Sequence, residues 1–272
     1  MDHHPLLGIA ELAELEPYLG GIGQLFTAFR DQDSGCVSYG VRLAGGERWF
    51  VKEAVTAAAR QSLERGWAFH RAVRHPVIVP QVHRFRVGDS TAVVLPWREG
   101  EVLYHPTAHG PRDRTGPASA MARFRALPVA DVVTCIAQVV SAHLAVEAVG
   151  HVAVDFYDGA MLYDFALGSL CLIDLDEYRP GPFVVEADRL PGSRRFMAPE
   201  EFTSGAVVDA RTTVFTLGRA ARLLLDAGDS EEAWRGSAAQ LAVVTRATRP
   251  NPDQRFGSVG EFAAEWRAAT SR

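Results

Sequence analysis

The sequence predicts an α+β chain in which a small, mostly antiparallel sheet with one helix precedes a mainly helical region. Three observations support this. Short β-branched and aromatic runs, parted by Gly and Asp turns, fill the first hundred residues. Long apolar stretches with helical spacing fill most of the rest. Between them Tyr104–Pro117 (YHPTAHGPRDRTGP), rich in Pro, Gly, His and Arg, is the linker-like break.

The elements follow in order. Leu6–Leu19 reads as a short amphipathic segment that stops at the Gly20-Gly21 breaker. Leu25–Phe29, Val37–Leu43 and Arg48–Glu53 read as strands, the last two joined by a hairpin turn, Ala44-Gly45-Gly46-Glu47. Val55–Val73 reads as a helix that ends before Arg74-His75-Pro76, because a residue preceding proline avoids the helical region. Val82–Val87 and Thr91–Leu95 are strands around Gly88-Asp89. Beyond the linker, helices are expected over Val129–Val149, Thr213–Asp226, Ala238–Arg246 and Val259–Ala269, with a hairpin of Met161–Tyr163 and Leu170–Leu175.

Composition narrows the function. At 272 residues, 47% hydrophobic and 22% charged, the chain is globular, and 1–272 reads as one domain. A net charge of −5 with no Lys/Arg-rich run argues against nucleic-acid and membrane-surface partners. Cys36, Cys135 and Cys171 form no CxxC, so neither a disulfide framework nor a zinc site is expected, and a reducing cytoplasm fits. The nine histidines show no HExxH spacing. No apolar run approaches the ~18 residues of a membrane span. The N-terminal stretch is too acidic for a signal peptide.

Several short motifs carry the chemistry. Phe50-Val51-Lys52 ends a strand with a cation, and Gly35-Cys36-Val37 lies upstream, Lys52 following Val37 by fifteen positions. His75-Pro76-Val77-Ile78-Val79 follows the predicted helix, and Val93–Gly100 (VVLPWREG) ends the last strand. Asp155 stands in HVAVDFYDGAMLYD, and Asp174 stands nineteen positions later in CLIDLD, with Asp176 two residues on. GSRRFMAPE (192–200), FTLG (215–218) and NPDQRF (251–256) complete the series.

In this order, from about Leu25 to Trp266, these motifs resemble those of the protein kinase-like superfamily. The nearest likeness is to a bacterial eukaryotic-type Ser/Thr protein kinase with degenerate glycine-rich and catalytic loops. The resemblance implies a two-lobed α+β fold, with 22–100 as N-lobe and 101–272 as C-lobe. It implies ATP and Mg²⁺ as cofactors and γ-phosphate transfer to a hydroxyl acceptor on a protein or small molecule. By the same resemblance Lys52 holds phosphates, Gly35 belongs to the glycine-rich loop over them, Val37 lies over the base, and Leu95 and Trp97 belong to the adenine-binding hinge. Glu64 is the acid nearest the position that pairs with the lysine. Asp155 orients the acceptor hydroxyl. Asp174 binds metal, with Asp176 or Asp158 supplying what Ala160, in the place of a metal-binding Asn, lacks. Glu200 and Arg255 are implied to form a buried ion pair, and Thr213 replaces the aspartate that braces the catalytic loop. Two other readings stay open: a pseudokinase, with one acid turned towards Arg194 or Arg195, and a small-molecule phosphotransferase on the same fold.

Overall fold

The computed structural model describes residues 4–105 and 114–271, which form a mixed α+β structure in two compact units. Part of the linker-like break, residues 106–113, lies outside the described residues. One unit holds residues up to Arg74 together with Val79–Arg98; the other holds His75–Ile78 and everything from Glu99 onward.

The first unit is a sheet covered on both faces. Its elements are β1 (Glu11–Leu12), α1 (Leu15–Ile22), β2 (Gly23–Phe29), β3 (Cys36–Leu43), β4 (Arg48–Ala54), α2 (Ala57–Ala72), β5 (His83–Val87) and β6 (Ser90–Pro96). The strands run in the order β1-β5-β6-β4-β3-β2, antiparallel except for β1 against β5. Leu6, Leu15 and Leu19 bury one face against Tyr39, Val41, Val51, Phe85 and Val94. The other face meets α2, whose buried residues are Ala59, Leu63, Gly66, Phe69 and His70. Thr56 caps α2 by accepting from the Ala59 N–H.

Gly20-Gly21 does not stop the first helix. α1 runs through both glycines and ends where the Gly23 N–H donates to the Leu19 carbonyl. Each helical glycine costs about 1 kcal/mol relative to alanine. Burying Leu15 and Leu19, one turn apart on the same face, offsets that.

The second unit is mainly helical. It contains β7 (Glu101–Val102), α3 (Ala120–Arg125), α4 (Val129–Ala148), β8 (His151–Val152), β9 (Met161–Asp164), β10 (Ser169–Leu172), β11 (Arg179–Pro180), β12 (Phe183–Val184), β13 (Val207–Val208), α5 (Ala210–Leu224), α6 (Ala238–Ala247) and α7 (Val259–Thr270). The strands form three small antiparallel pieces: β10-β9-β7, β11-β8 and β12-β13. The expected strand through Leu175 ends at Leu172.

The sequence reading of no membrane-length run also needs correction. Helix α4 has 20 residues and a mean hydropathy of 1.8, enough by length and composition to cross a membrane. Half of that window is buried, and α4 packs against α5 and α7, which accounts for its apolar character.

Candidate functional site

In the sheet unit, register decides which side chains accompany Lys52. Lys52 is buried on β4, with Ser38 directly opposite on β3 and Val93 on β6. Directly opposed residues share a face. Lys52 therefore shares its face with Ser38, Val93, Phe50 and Leu95. Val37 pairs with Glu53 and packs into the cluster on the reverse face. Val37 is thus not where the sequence reading put it.

The cause is one residue of loop. Leu43 and Glu47 are bonded across a three-residue turn, Ala44-Gly45-Gly46, with Gly46 at φ +88°, rather than a four-residue one. A one-residue slip reverses the face of every side chain on a strand.

Ser38 donates its hydroxyl to Gln32 Oε1 at 2.8 Å, which ties the β2–β3 loop to the Lys52 face. Gly35 closes that loop at φ +68°, where a Cβ would lie 2.5 Å from Thr56 Oγ1. Both facts require glycine.

Phe50 stands where the motif V-A-I-K has alanine. With Phe26, Phe29 and Trp97 it forms a half-buried aromatic group, Phe26 and Trp97 meeting edge to face at 4.7 Å. The Trp97 N–H is taken by the Arg48 carbonyl, and Leu95 is buried opposite Phe50. Trp97 thus offers an aromatic ring to a ligand, and its backbone donor is engaged. Glu64 is exposed on α2 and makes no ion pair with Lys52. The ionisable α2 side chain near Lys52 is His70, 2% exposed, whose imidazole burial, Arg74 and Lys52 push down to about 3.

In the helical unit, two loops lie side by side. The segment after β8 carries Asp155, and the segment after β10 carries Asp174. They are joined at one end by Arg179 pairing with Val152 and at the other by the Ile173 N–H donating to the Ala160 carbonyl at 3.0 Å. Asp155 and Asp174 both adopt left-handed backbone, at φ +60° and +57°. Non-glycine residues seldom do so, and such strain gathers at functional sites. Asp155 is half-buried and Asp174 exposed, while Asp176 is buried two residues on. A Cβ on Gly192 would approach Asp155 Cα at 3.6 Å, so the start of the 192–200 segment lies against Asp155.

One support of these loops, Thr213, is neutral where the resemblance implies an aspartate. Thr213 accepts the Ala153 N–H through its hydroxyl at 3.1 Å, doing the work of a bracing carboxylate. Beneath Phe156, His143 donates from Nδ1 to the Val139 carbonyl and accepts the Tyr178 hydroxyl at Nε2, 2.8 Å each. Burial holds this imidazole down near 4. Glu200 and Arg255 form the expected ion pair, bidentate at 2.7 and 2.9 Å. Burial would raise the Glu200 carboxyl, but bonds from Arg255 and Thr212 outweigh it and hold it low.

Asp158, a candidate metal ligand by the sequence reading, is paired with an arginine in this arrangement. Its carboxylate is 1% exposed and accepts two bonds from Arg114, at 2.6 Å from Nε and 3.1 Å from Nη2. The guanidinium lies 3.3 Å from the centroid of Tyr104. Arg195, the expected alternative partner for a diverted acid, is bound to Asp229 instead. Among the described residues no three His, Cys, Asp or Glu side chains converge as a metal-binding group. Mg²⁺ seldom asks for three, since it keeps waters and takes one or two carboxylates beside phosphates. Asp174 and Asp176 meet that requirement in donor chemistry; Asp158 has the same chemistry but its two oxygens are taken by Arg114, and Ala160 has no side-chain donor.

Sequence reasoning missed Arg114, Tyr104, Gln32 and Ser38. Arg114 lay in a stretch without helical or strand periodicity and carried no signal.

No protein-family model matches the chain, and no curated protein matches it.

Proposed function

We propose that the chain is an ATP-dependent phosphotransferase of protein-kinase type, acting on a hydroxyl of a protein or small molecule. The observation that carries the reading is the pair Asp155 and Asp174. Both were singled out by motif, both hold left-handed backbone, and their loops are tied together. In this reading the Asp155 carboxylate accepts a hydrogen bond from the acceptor hydroxyl, orients its oxygen and takes its proton as transfer proceeds. Lys52 supplies a rigid cation for phosphates from the centre of a sheet. Phe26, Phe50 and Trp97 give a planar base an aromatic surface. Mg²⁺ would neutralise phosphate charge, held by Asp174 with Asp176.

A thermal-shift titration with ATP and Mg²⁺, followed by transfer of labelled γ-phosphate, tests this. Stabilisation by nucleotide is expected from native-state binding. Transfer should vanish in Asp155→Asn and Asp174→Ala. No stabilisation at millimolar ATP would end the proposal.

One arrangement favours the second reading, a pseudokinase. Asp158 is neutralised by Arg114, and Ala160 beside it offers no ligand atom. A protein stabilised by nucleotide that never releases phosphate to any acceptor would be that module.

A further inference from the structure

We infer that Arg114 occupies the place of a second divalent cation, so that the site takes one metal ion per nucleotide. The inference rests on the phosphotransferase reading and sharpens it.

Asp158, Gly159 and Ala160 form one turn of 3-10 helix. By the resemblance, that turn stands where a metal-binding Asn would lie, so a second ion would draw its ligands from it. Ala160 is fully buried, has no side-chain donor, and its carbonyl already accepts the Ile173 N–H. Asp158 is the one carboxylate of the turn, and a guanidinium covers both of its oxygens.

A carboxylate buried this deeply needs a positive partner. Arginine meets the need well, because its charge is permanent and its planar fork matches the carboxylate geometry. Stacking on Tyr104 adds a further hold on the guanidinium. An incoming metal ion would have to displace both bonds and the ring contact.

Arg114 presents Nε and Nη2 to Asp158, and Nη1 is not used there. In this inference that nitrogen would donate to a phosphate oxygen. The arrangement therefore offers one fixed positive charge with directional donors where a diffusible ion would offer two. The chemical class it suits is a polyphosphate ligand carrying a single divalent ion.

Counting Mn²⁺ by the electron paramagnetic resonance of the unbound ion tests this. The protein would be saturated with an ATP analogue that has a non-hydrolysable β–γ bridge, and nucleotide binding followed separately by thermal shift. Wild type should bind one Mn²⁺ per chain. Arg114→Ala should bind two, because Asp158 is released, and the double variant Arg114→Ala/Asp158→Asn should return to one. Two ions on wild type would overturn the inference and leave the phosphotransferase reading intact, as would one ion on a folded Arg114→Ala. Should Arg114→Ala fail to fold, the wild-type count still decides. Nucleotide that fails to bind with or without metal would overturn both readings together.

Discussion

In the helical unit, buried and half-buried acids meet arginines; buried polar atoms are left over in both units, Arg125 Nη2, Arg222 Nη1 and the Trp266 indole N–H among them. Glu200 meets Arg255, Asp158 meets Arg114, Asp229 meets Arg125 and Arg195, and Glu231 meets Arg219. Across the sheet unit, the indole N–H groups of Trp49 and Trp97 and Nδ1 of His70 have no hydrogen-bond partner. Satisfied networks make a region rigid, whereas orphaned polar groups lower its stability. The helical unit therefore holds its loops by fixed electrostatics. In the sheet unit the ion pairs Arg30–Glu16 and Arg86–Glu11 lie at the exposed surface instead.

The largest way to break this contrast is Arg255→Ala. It strips a carboxylate that is 9% exposed of its partner and should cost about 3–5 kcal/mol in denaturant unfolding. A loss under 1 kcal/mol would show that the pair is not what anchors the segment.

Next comes Thr213→Val, which keeps shape and removes the acceptor for the Ala153 N–H. A buried donor left bare costs about 1–3 kcal/mol. The loss should be accompanied by faster amide exchange at Ala153, and unchanged exchange there would refute the bracing role.

Acidity acts with opposite signs on different buried groups, two of them within the helical unit. His143 and His70 fall from 6.5 to about 4 and about 3 on folding. The unfolded chain then binds more protons between those values and 6.5, so stability is lost as pH drops below 6.5. Glu201 behaves oppositely. Burial lifts it from 4.5 to about 8, so the folded chain binds the extra proton and stability falls as pH rises through that window. Glu201→Gln keeps the acceptor for the Ala198 N–H and should remove that alkaline decline. Melting temperature against pH decides, and parallel curves for wild type and variant would refute it.

The smallest effect sharpens the comparison. Trp97→Phe deletes an indole N–H that has no partner, so stability should change by less than about 1 kcal/mol despite the lost ring area. A loss of several kcal/mol would mean that the edge contact with Phe26 matters more than the orphaned donor costs.

Much of this arrangement was readable from the residues. Strands β2 to β6 and helices α2, α4, α5, α6 and α7 begin and end within about three residues of their expected limits, because their periodicity and stop signals agree. The Glu200–Arg255 pair was legible because each of its members sits in a local motif. The side of the sheet that Val37 faces was not. It depends on whether Glu47 joins the turn or the ladder, and both choices read alike in AGGE. Helix α3 escaped because six residues carry too little periodicity, although Ser119 does cap it. Arg114 escaped because a long-range ion pair leaves no trace in its own neighbourhood.

The four residues His75–Ile78 have a consequence for biosynthesis. They lie in the chain between two stretches of the sheet unit, yet they belong with the helical unit, where the Val77 carbonyl accepts from Leu172 and Ile78 bridges to the same residue. At ribosomal rates Leu172 emerges on the order of 5–20 s after Ile78. Strands β1 to β4 are translated before that interval and β5 and β6 early within it. The turn must wait, hydrated and unpartnered, until the strand leading to Asp174 arrives. The backbone of the Asp174 loop is therefore completed only after the Lys52 sheet has had time to form.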